Sequence, residues 1–384
     1  MQYKLLGELV NRKIGYGIVQ PGQSVPNGVP VIKVNNLIAG LNSPLELDTT
    51  THENDSKYSR TRLHGGELII SVVGTIGKTA IVPKSFDGCN LVRATALIDI
   101  DNELIAKWVK YYIDSSAGQS YIEQNLNTTV QPTLNIKSLV QMPIPFFDES
   151  IMKGTVSLLS SLDDKIRVNN KINDNLQQQA AALFSSLYDR SNTEVRFTDL
   201  IQILGGGTPK TGENTYWNGN IAFFTPKDVG IPYTLITEKT ISKEGLSHCN
   251  SRLYPVNTVF VTARGTVGKV GMSGVPMAMN QSCYALVGKE THQLLVYFYT
   301  LKAVDRLKHK ASGAVFDAIT TRDFESEQIM KLSDDDATAF LRVAEPMFQE
   351  VLNNNIENLR LSTLRDSLLP KLMSGEIDVS AVQL

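Results

Sequence analysis

Between residues 148 and 188 a seven-residue ladder runs through Leu162, Asn169, Leu176 and Leu183. A second ladder lies four residues on, at Ile166, Asn173, Ala180 and Leu187. Two such ladders make one seam, the pattern of a helix packed lengthwise on another helix. The spacing predicts a helix of roughly 37 residues, about 55 Å long at ~1.5 Å per residue. Globular helices usually run to ~10–14 residues, so this one needs a partner. The pattern returns at 335–372, through Phe340, Met347, Asn354, Leu361 and Leu368, with Ala344, Val351, Asn358 and Arg365 beside them. Pro346 is expected to kink or begin this second helix, and Asp334, Asp335 and Asp336 suit its N-terminus. Elsewhere β-branched runs bounded by Gly and Pro, at 29–34, 67–73, 94–100, 221–225 and 258–263, predict strands.

The chain repeats itself once. Gly74-Thr75-Ile76-Gly77-Lys78 matches Gly265-Thr266-Val267-Gly268-Lys269 at an offset of 191, each after an apolar strand. Each copy continues into an aromatic helix-like segment, after Lys107 and after Gln293, and closes on a long helix. At an offset of 185, Leu162, Ile166, Asn169, Asn173, Leu176 and Leu183 fall on Met347, Val351, Asn354, Asn358, Leu361 and Leu368. An offset of 184 aligns 169–172 with 353–356 instead, which leaves the register open by one residue. The expected architecture is α+β: two mixed α/β domains at 1–150 and 196–332, separated by long helices at 151–195 and 333–384. Pseudo-two-fold symmetry would run those helices antiparallel. Asparagines in the seam set register, face a further protein, or mark a looser, wetter crossing.

Charge refines this picture. The net charge is −2, but residues 196–332 carry 15 basic against 11 acidic residues, and 57–93 carry 6 against 2. A polyanion would meet local patches within the two non-helical regions. The three cysteines, Cys89, Cys249 and Cys283, lack metal-ligand spacing and point to a reducing cytoplasm. No secretory signal or membrane-length apolar run is found.

Gly77-Lys78-Thr79 invites a phosphate-loop reading, but Val72 and Ala263 stand where that loop needs glycine. Gly205-Gly206-Gly207-Thr208-Pro209 reads as a flexible loop and is followed by Lys210, so it does not make a dinucleotide fingerprint. The two glycine turns are either tight structural turns or places where amides and lysine reach a DNA phosphate. Residue types suited to phosphates and base edges are Lys33, Asn35, Asn36, Arg60, Arg62, Thr75, Lys78 and Arg93 in the first copy. In the second they are Lys210, Lys227, Asp228, Arg252, Arg264, Thr266 and Lys269. For each charge a solvated face is the alternative. The histidines are scattered, and no nucleophile or metal-hydrolase motif occurs.

Three segments in this order carry a family resemblance: Leu162-Asp163-Asp164-Lys165-Ile166; residues 205–229, GGGTPKTGENTYWNGNIAFFTPKDV; and residues 364–377, LRDSLLPKLMSGEI. The chain resembles, over nearly all its length, the specificity subunit of type I restriction–modification systems. The resemblance implies two target-recognition domains, each reading half of a bipartite double-stranded DNA site, with a helical spacer setting the gap. It implies no catalysis and no cofactor in this chain. Two methyltransferase subunits would dock on it and restriction subunits join them, those partners using S-adenosylmethionine, ATP and Mg. The competing expectations are a fused methyltransferase or nuclease, and a two-headed scaffold that does not touch DNA.

Overall fold

A computed structural model describes residues 2–127, 132–230, 232–310 and 318–379. The chain divides into two units: Met1–Asp164 with Leu361–Leu384, and Lys165–Arg360.

In the first unit a four-stranded sheet runs in the order Gly15–Tyr16, Thr95–Ile98, Leu68–Ser71, Thr79–Ile81. Its central strands Leu68–Ser71 and Thr95–Ile98 are buried at every position. That is why they read as continuous apolar runs rather than as alternating ones. A three-stranded sheet, Thr49–Thr50, Val29–Ile32, Asn90–Leu91, contains one parallel pair, between the last two strands. Strand Gln2–Leu5 pairs antiparallel with Pro143–Phe146. Helix Glu103–Asp114, capped by the Asn102 side chain, drives Trp108 into the core, where its Nε1 donates to the Pro145 carbonyl at 2.7 Å.

The second unit repeats this plan. Strand Thr193–Arg196 pairs with Gln328–Lys331. Its main sheet runs Ile201–Gly205, Cys283–Gly288, Val259–Thr262, Val270–Ser273, with Tyr233–Thr234 added at the edge. Its smaller sheet, Lys239–Ile241, Trp217–Phe224, Met277–Met279, again has a parallel pair. Helix Gln293–Lys310 takes the place of Glu103–Asp114 and buries Phe298 and Tyr299.

The long helices are Glu149–Arg190 and Asp334–Ser374. In the first unit Met152, Val156 and Leu159 share a core with Leu369, Leu372 and Met373. In the second, Ala180, Phe184 and Leu187 share one with Phe340, Ala344 and Val351. Asp163 meets Arg365 and Gly154 lies against Val379 in the first unit, and Asn169 meets Asn358 and Arg190 meets Asp336 in the second, so within each unit the two segments run antiparallel. Ser333 caps the second helix, its hydroxyl accepting from the Asp336 amide at 3.1 Å. Of the two roles expected for Pro346, that of beginning this helix is excluded, since the helix starts at Asp334. Pro346 lies inside it, exposed, where the ring costs one intrahelical donor and the buried seam on the opposite face holds the rest.

Candidate functional site

The two glycine turns are built alike. In the first unit the Ser71 hydroxyl donates to the Thr75 carbonyl (2.6 Å) and accepts from the Lys78 amide (2.8 Å), while the Gly77 amide donates to the Ser71 carbonyl (2.9 Å). In the second, the Thr262 hydroxyl donates to the Thr266 carbonyl and accepts from the Lys269 amide (2.9 Å), and the Gly268 amide donates to the Thr262 carbonyl (2.9 Å). Gly74, Gly77, Gly265 and Gly268 have φ between 74° and 82°, which side-chain-bearing residues rarely adopt. The residue after the hydroxyl is pinned on both sides. The Val72 amide donates to Ala94 and its carbonyl accepts from Leu134; Ala263 is held likewise by Ser282 and Ile319. The result is a rigid turn that leaves Thr75 and Lys78, and Thr266 and Lys269, exposed.

Around the second turn the fold gathers Lys227, Lys239 and Arg264 with Thr266 about a cavity of about 470 Å³. Lys239 was not among the residues singled out from sequence. Only the pairing of Lys239–Ile241 with Trp217–Phe224 brings it there. Around the first turn, Lys78 borders a cavity of about 550 Å³ with Lys110, Asp114 and Arg365.

Behind Lys78 lies a polar network. Asp163 accepts from Tyr111 Oη (2.9 Å) and Arg365 Nη1 (2.8 Å), with Lys110 Nζ at 3.5 Å. Lys110 also pairs with Asp114 at 3.0 Å, and Asp114 accepts from the Thr79 hydroxyl. Burial would raise the Asp163 carboxyl, but Lys110 and Arg365 outweigh it and hold Asp163 below the ordinary carboxylate range. Burial would lower the Lys110 ammonium, yet Asp114 and Asp163 carry it above its usual value. The Asp163–Arg365 pair thus joins two of the three segments that carried the resemblance.

Other candidates from the sequence are engaged within the protein. Lys33 pairs with Asp48 (2.6 Å), and its amide donates to the Asn36 side chain (2.7 Å), leaving Asn35 exposed. Arg62 pairs with the buried Asp55. Lys227 pairs with Glu238 at 3.7 Å. Asp228 is half-buried, and its oxygens accept from the Thr225 amide and hydroxyl and the Glu238 amide, so it shapes the loop. Arg60, Arg93, Lys210, Arg252 and Arg264 are exposed. Gly206 and Gly207 correct the flexible-loop expectation. A Cβ on Gly206 would stand 2.2 Å from the Asn280 carbonyl oxygen and one on Gly207 2.6 Å from the Asn250 amide nitrogen, so these glycines serve close backbone approach. Burial pushes the Cys89 thiol up to about 11 and the Cys283 thiol up to about 12, which disfavours their thiolates at neutral pH. Among the described residues no group of three or more His, Cys, Asp or Glu could hold a metal, and no helix is long and apolar enough to cross a membrane.

In the second unit the helix seam carries a polar layer. Asn169 Nδ2 donates to Asn358 (2.9 Å) and Glu357 (2.7 Å), and Asn354 Nδ2 donates to Asn173 (2.9 Å). Asn173 Nδ2 donates to Asn355 (3.0 Å), and Asn358 Nδ2 to Asn170 (2.8 Å). An offset of 185 maps Asn169 onto Asn354, Asn170 onto Asn355 and Asn173 onto Asn358. Each asparagine bond then has a counterpart with donor and acceptor preserved, which fixes the register left open between 184 and 185. Leu176, Leu183 and Met347 pack half-buried on this unit's core, Val351 is fully buried and Ile166 is half-buried. In the first unit Leu368 packs against the core, and Leu162 and Leu361 are half-buried.

Residues 2–178 and 190–331 match the family model described as type I restriction modification DNA specificity domain. The HindI type I restriction enzyme specificity subunit of Haemophilus influenzae is 28% identical over 186 residues, 47% of this chain and 40% of that one. The EcoBI specificity subunit of Escherichia coli is 27% identical over 176 residues, 44% of this chain and 37% of that one. The matches thus span two fifths or less of those relatives' length. A crystal structure of a type I restriction–modification S subunit from M. genitalium superposes with a TM-score of 0.58 at 14% identity, covering 97% of this chain and 95% of that one. That likeness concerns the fold.

Proposed function

The chain belongs to the family of type I restriction modification DNA specificity domains, and from that premise we propose that it is the non-catalytic specificity subunit of a cytoplasmic restriction–modification complex. Each recognition domain, 1–150 and 196–332, reads one half of a bipartite double-stranded DNA site. The long helices set the gap between the half-sites and dock two methyltransferase subunits, and restriction subunits complete the assembly. The methyl donor, ATP and Mg act in those partners.

The observation that carries this reading is the duplicated turn, with one hydrogen-bond network presenting Lys78 in one copy and Lys269 in the other. A rigid turn that presents an exposed threonine and lysine suits a phosphate or groove edge. Its duplication supplies one such contact for each half of an interrupted site. Methylome sequencing of a host expressing the chain with its methyltransferase subunits tests the proposal. An interrupted adenine-methylated motif is expected, and its absence overturns the reading. Replacing residues 1–150 by the first domain of another family member should change one half-site and leave the other intact. A change in both halves would refute the division of labour.

A further inference from the structure

The two units share a second device. In the first unit, strands Val29–Ile32 and Thr49–Thr50 pair antiparallel and are joined by residues 33–48. In the second, Trp217–Phe224 and Lys239–Ile241 pair antiparallel and are joined by residues 225–238. Each connection is clasped near its base by an ion pair, Lys33 with Asp48 at 2.6 Å and Lys227 with Glu238 at 3.7 Å. Each lies beside its unit's glycine turn: Leu37 borders the same cavity as Gly77 and Lys78, and the Thr266 hydroxyl donates to the Pro226 carbonyl at 3.2 Å. Each also carries a bare aliphatic side chain three or four positions before the returning strand, Leu45 at 94% exposure and Ile236 at 62%; the first connection has a second one, Ile38 at 56%, with no exposed aliphatic opposite it in the other copy.

A single exposed apolar residue is unremarkable. Recurrence at the corresponding place in both copies is not, because the two loops differ in sequence and length. Two exposed aliphatics of the first long helix lack this property: Val168 and Ile172 correspond to Asn353 and Glu357 on the second. The connection that carries Ile236 also carries Lys227 and runs into Lys239; both line one cavity with Arg264 and with Glu238, the partner of Lys227, and the excess of positive charge there favours a polyanion over an apolar protein surface.

We propose that Leu45 and Ile236 are specificity-determining contacts, each meeting a base of DNA in its own half-site. Aliphatic side chains read the thymine methyl group in the major groove or press between base steps, and either contact loses area when the side chain is truncated. The inference rests on the DNA-specificity reading above.

The test uses the full chain with its methyltransferase subunits and DNA carrying the motif found by methylome sequencing. Affinity is measured for the intact site and for sites with one half or the other scrambled. If the unaltered complex discriminates neither half, the functional reading itself fails, whatever Leu45 and Ile236 do. If it discriminates both, Leu45→Ala should weaken binding to the intact site about tenfold, ~1.4 kcal/mol, through the lost apolar contact. The loss should fall on discrimination at one half-site, and Ile236→Ala should act on the other. Binding to fully scrambled DNA and its salt dependence should stay unchanged, which also reports an intact fold, and Leu45→Met should restore most of the loss. Unchanged discrimination at both half-sites in both alanine variants would overturn the proposal. So would an equal loss on intact and scrambled DNA.

Discussion

Asn173 offers the sharpest test of how the helix seam is held. It joins two hydrogen bonds of the polar layer, accepting from Asn354 and donating to Asn355. Asn173 is 4% exposed and Asn354 6% exposed, so water cannot easily replace a lost partner. Truncation by Asn173→Ala removes two bonds of ~1 kcal/mol each, and leaving a buried amide without an acceptor costs ~1–3 kcal/mol more. Allowing for relaxation, the seam should lose about 2–4 kcal/mol. Replacing both Asn173 and Asn354 by leucine leaves no orphan between them and extends the apolar ladder. That pair should lie within about 1 kcal/mol of the native protein. The related change Asn358→Ala should cost less than Asn173→Ala, since Asn358 is only half-buried. Hydrogen exchange of the full chain, followed by mass spectrometry on peptides covering 165–180 and 347–360, reads these local opening energies directly. A cost below about 0.5 kcal/mol for Asn173→Ala would refute the reasoning. So would a leucine pair as damaging as the single alanine.

Two further outcomes are expected. Asp163 is held below the carboxylate value of 3.8 because Lys110 and Arg365 outweigh its burial. As pH falls, the unfolded chain takes up this proton first. Its contribution to the first unit's stability is therefore present above about pH 4 and lost as pH drops through the depressed folded value. Asp163→Asn should flatten that part of an acid-unfolding profile, and an unchanged profile would show that the ion cluster contributes nothing to it. At the glycine turns, Lys78→Ala and Lys269→Ala should each weaken DNA binding similarly across sequences and reduce the salt slope by about 1. Unaltered affinity and slope, measured between low and physiological salt, would make both turns purely architectural.

The long helices and several strands were legible because each repeats one physical rule along the chain. The seam Leu162, Ile166, Asn169, Asn173, Leu176 follows the turn of a helix whatever surrounds it, and the apolar runs 68–70 and 259–261 read as central strands buried on both faces. The internal repeat was equally open, since Gly-Thr-x-Gly-Lys recurs wherever the same positive-φ turn is required. The register of the Asn layer, by contrast, waited for the fold. Sequence allowed offsets of 184 and 185, and only the matched donors and acceptors of Asn169, Asn173, Asn354 and Asn358 choose between them. Charge was the least readable feature. Lys33, Arg62 and Asp228 look like surface contacts in a string of letters. Whether a charge is free depends on partners 7 to 15 residues away or on backbone amides that the chain presents only when folded. The gathering of Lys227, Lys239 and Arg264 about one cavity, and the placing of Leu45 and Ile236 just before the returning strands, likewise belong to strand pairing. The long helices, the central strands and their duplication could be read from the residues alone, because they express local properties of the backbone and its burial. Tertiary structure alone decided which polar groups are already satisfied and which remain for a partner, because hydrogen bonds and ion pairs are settled by three-dimensional proximity.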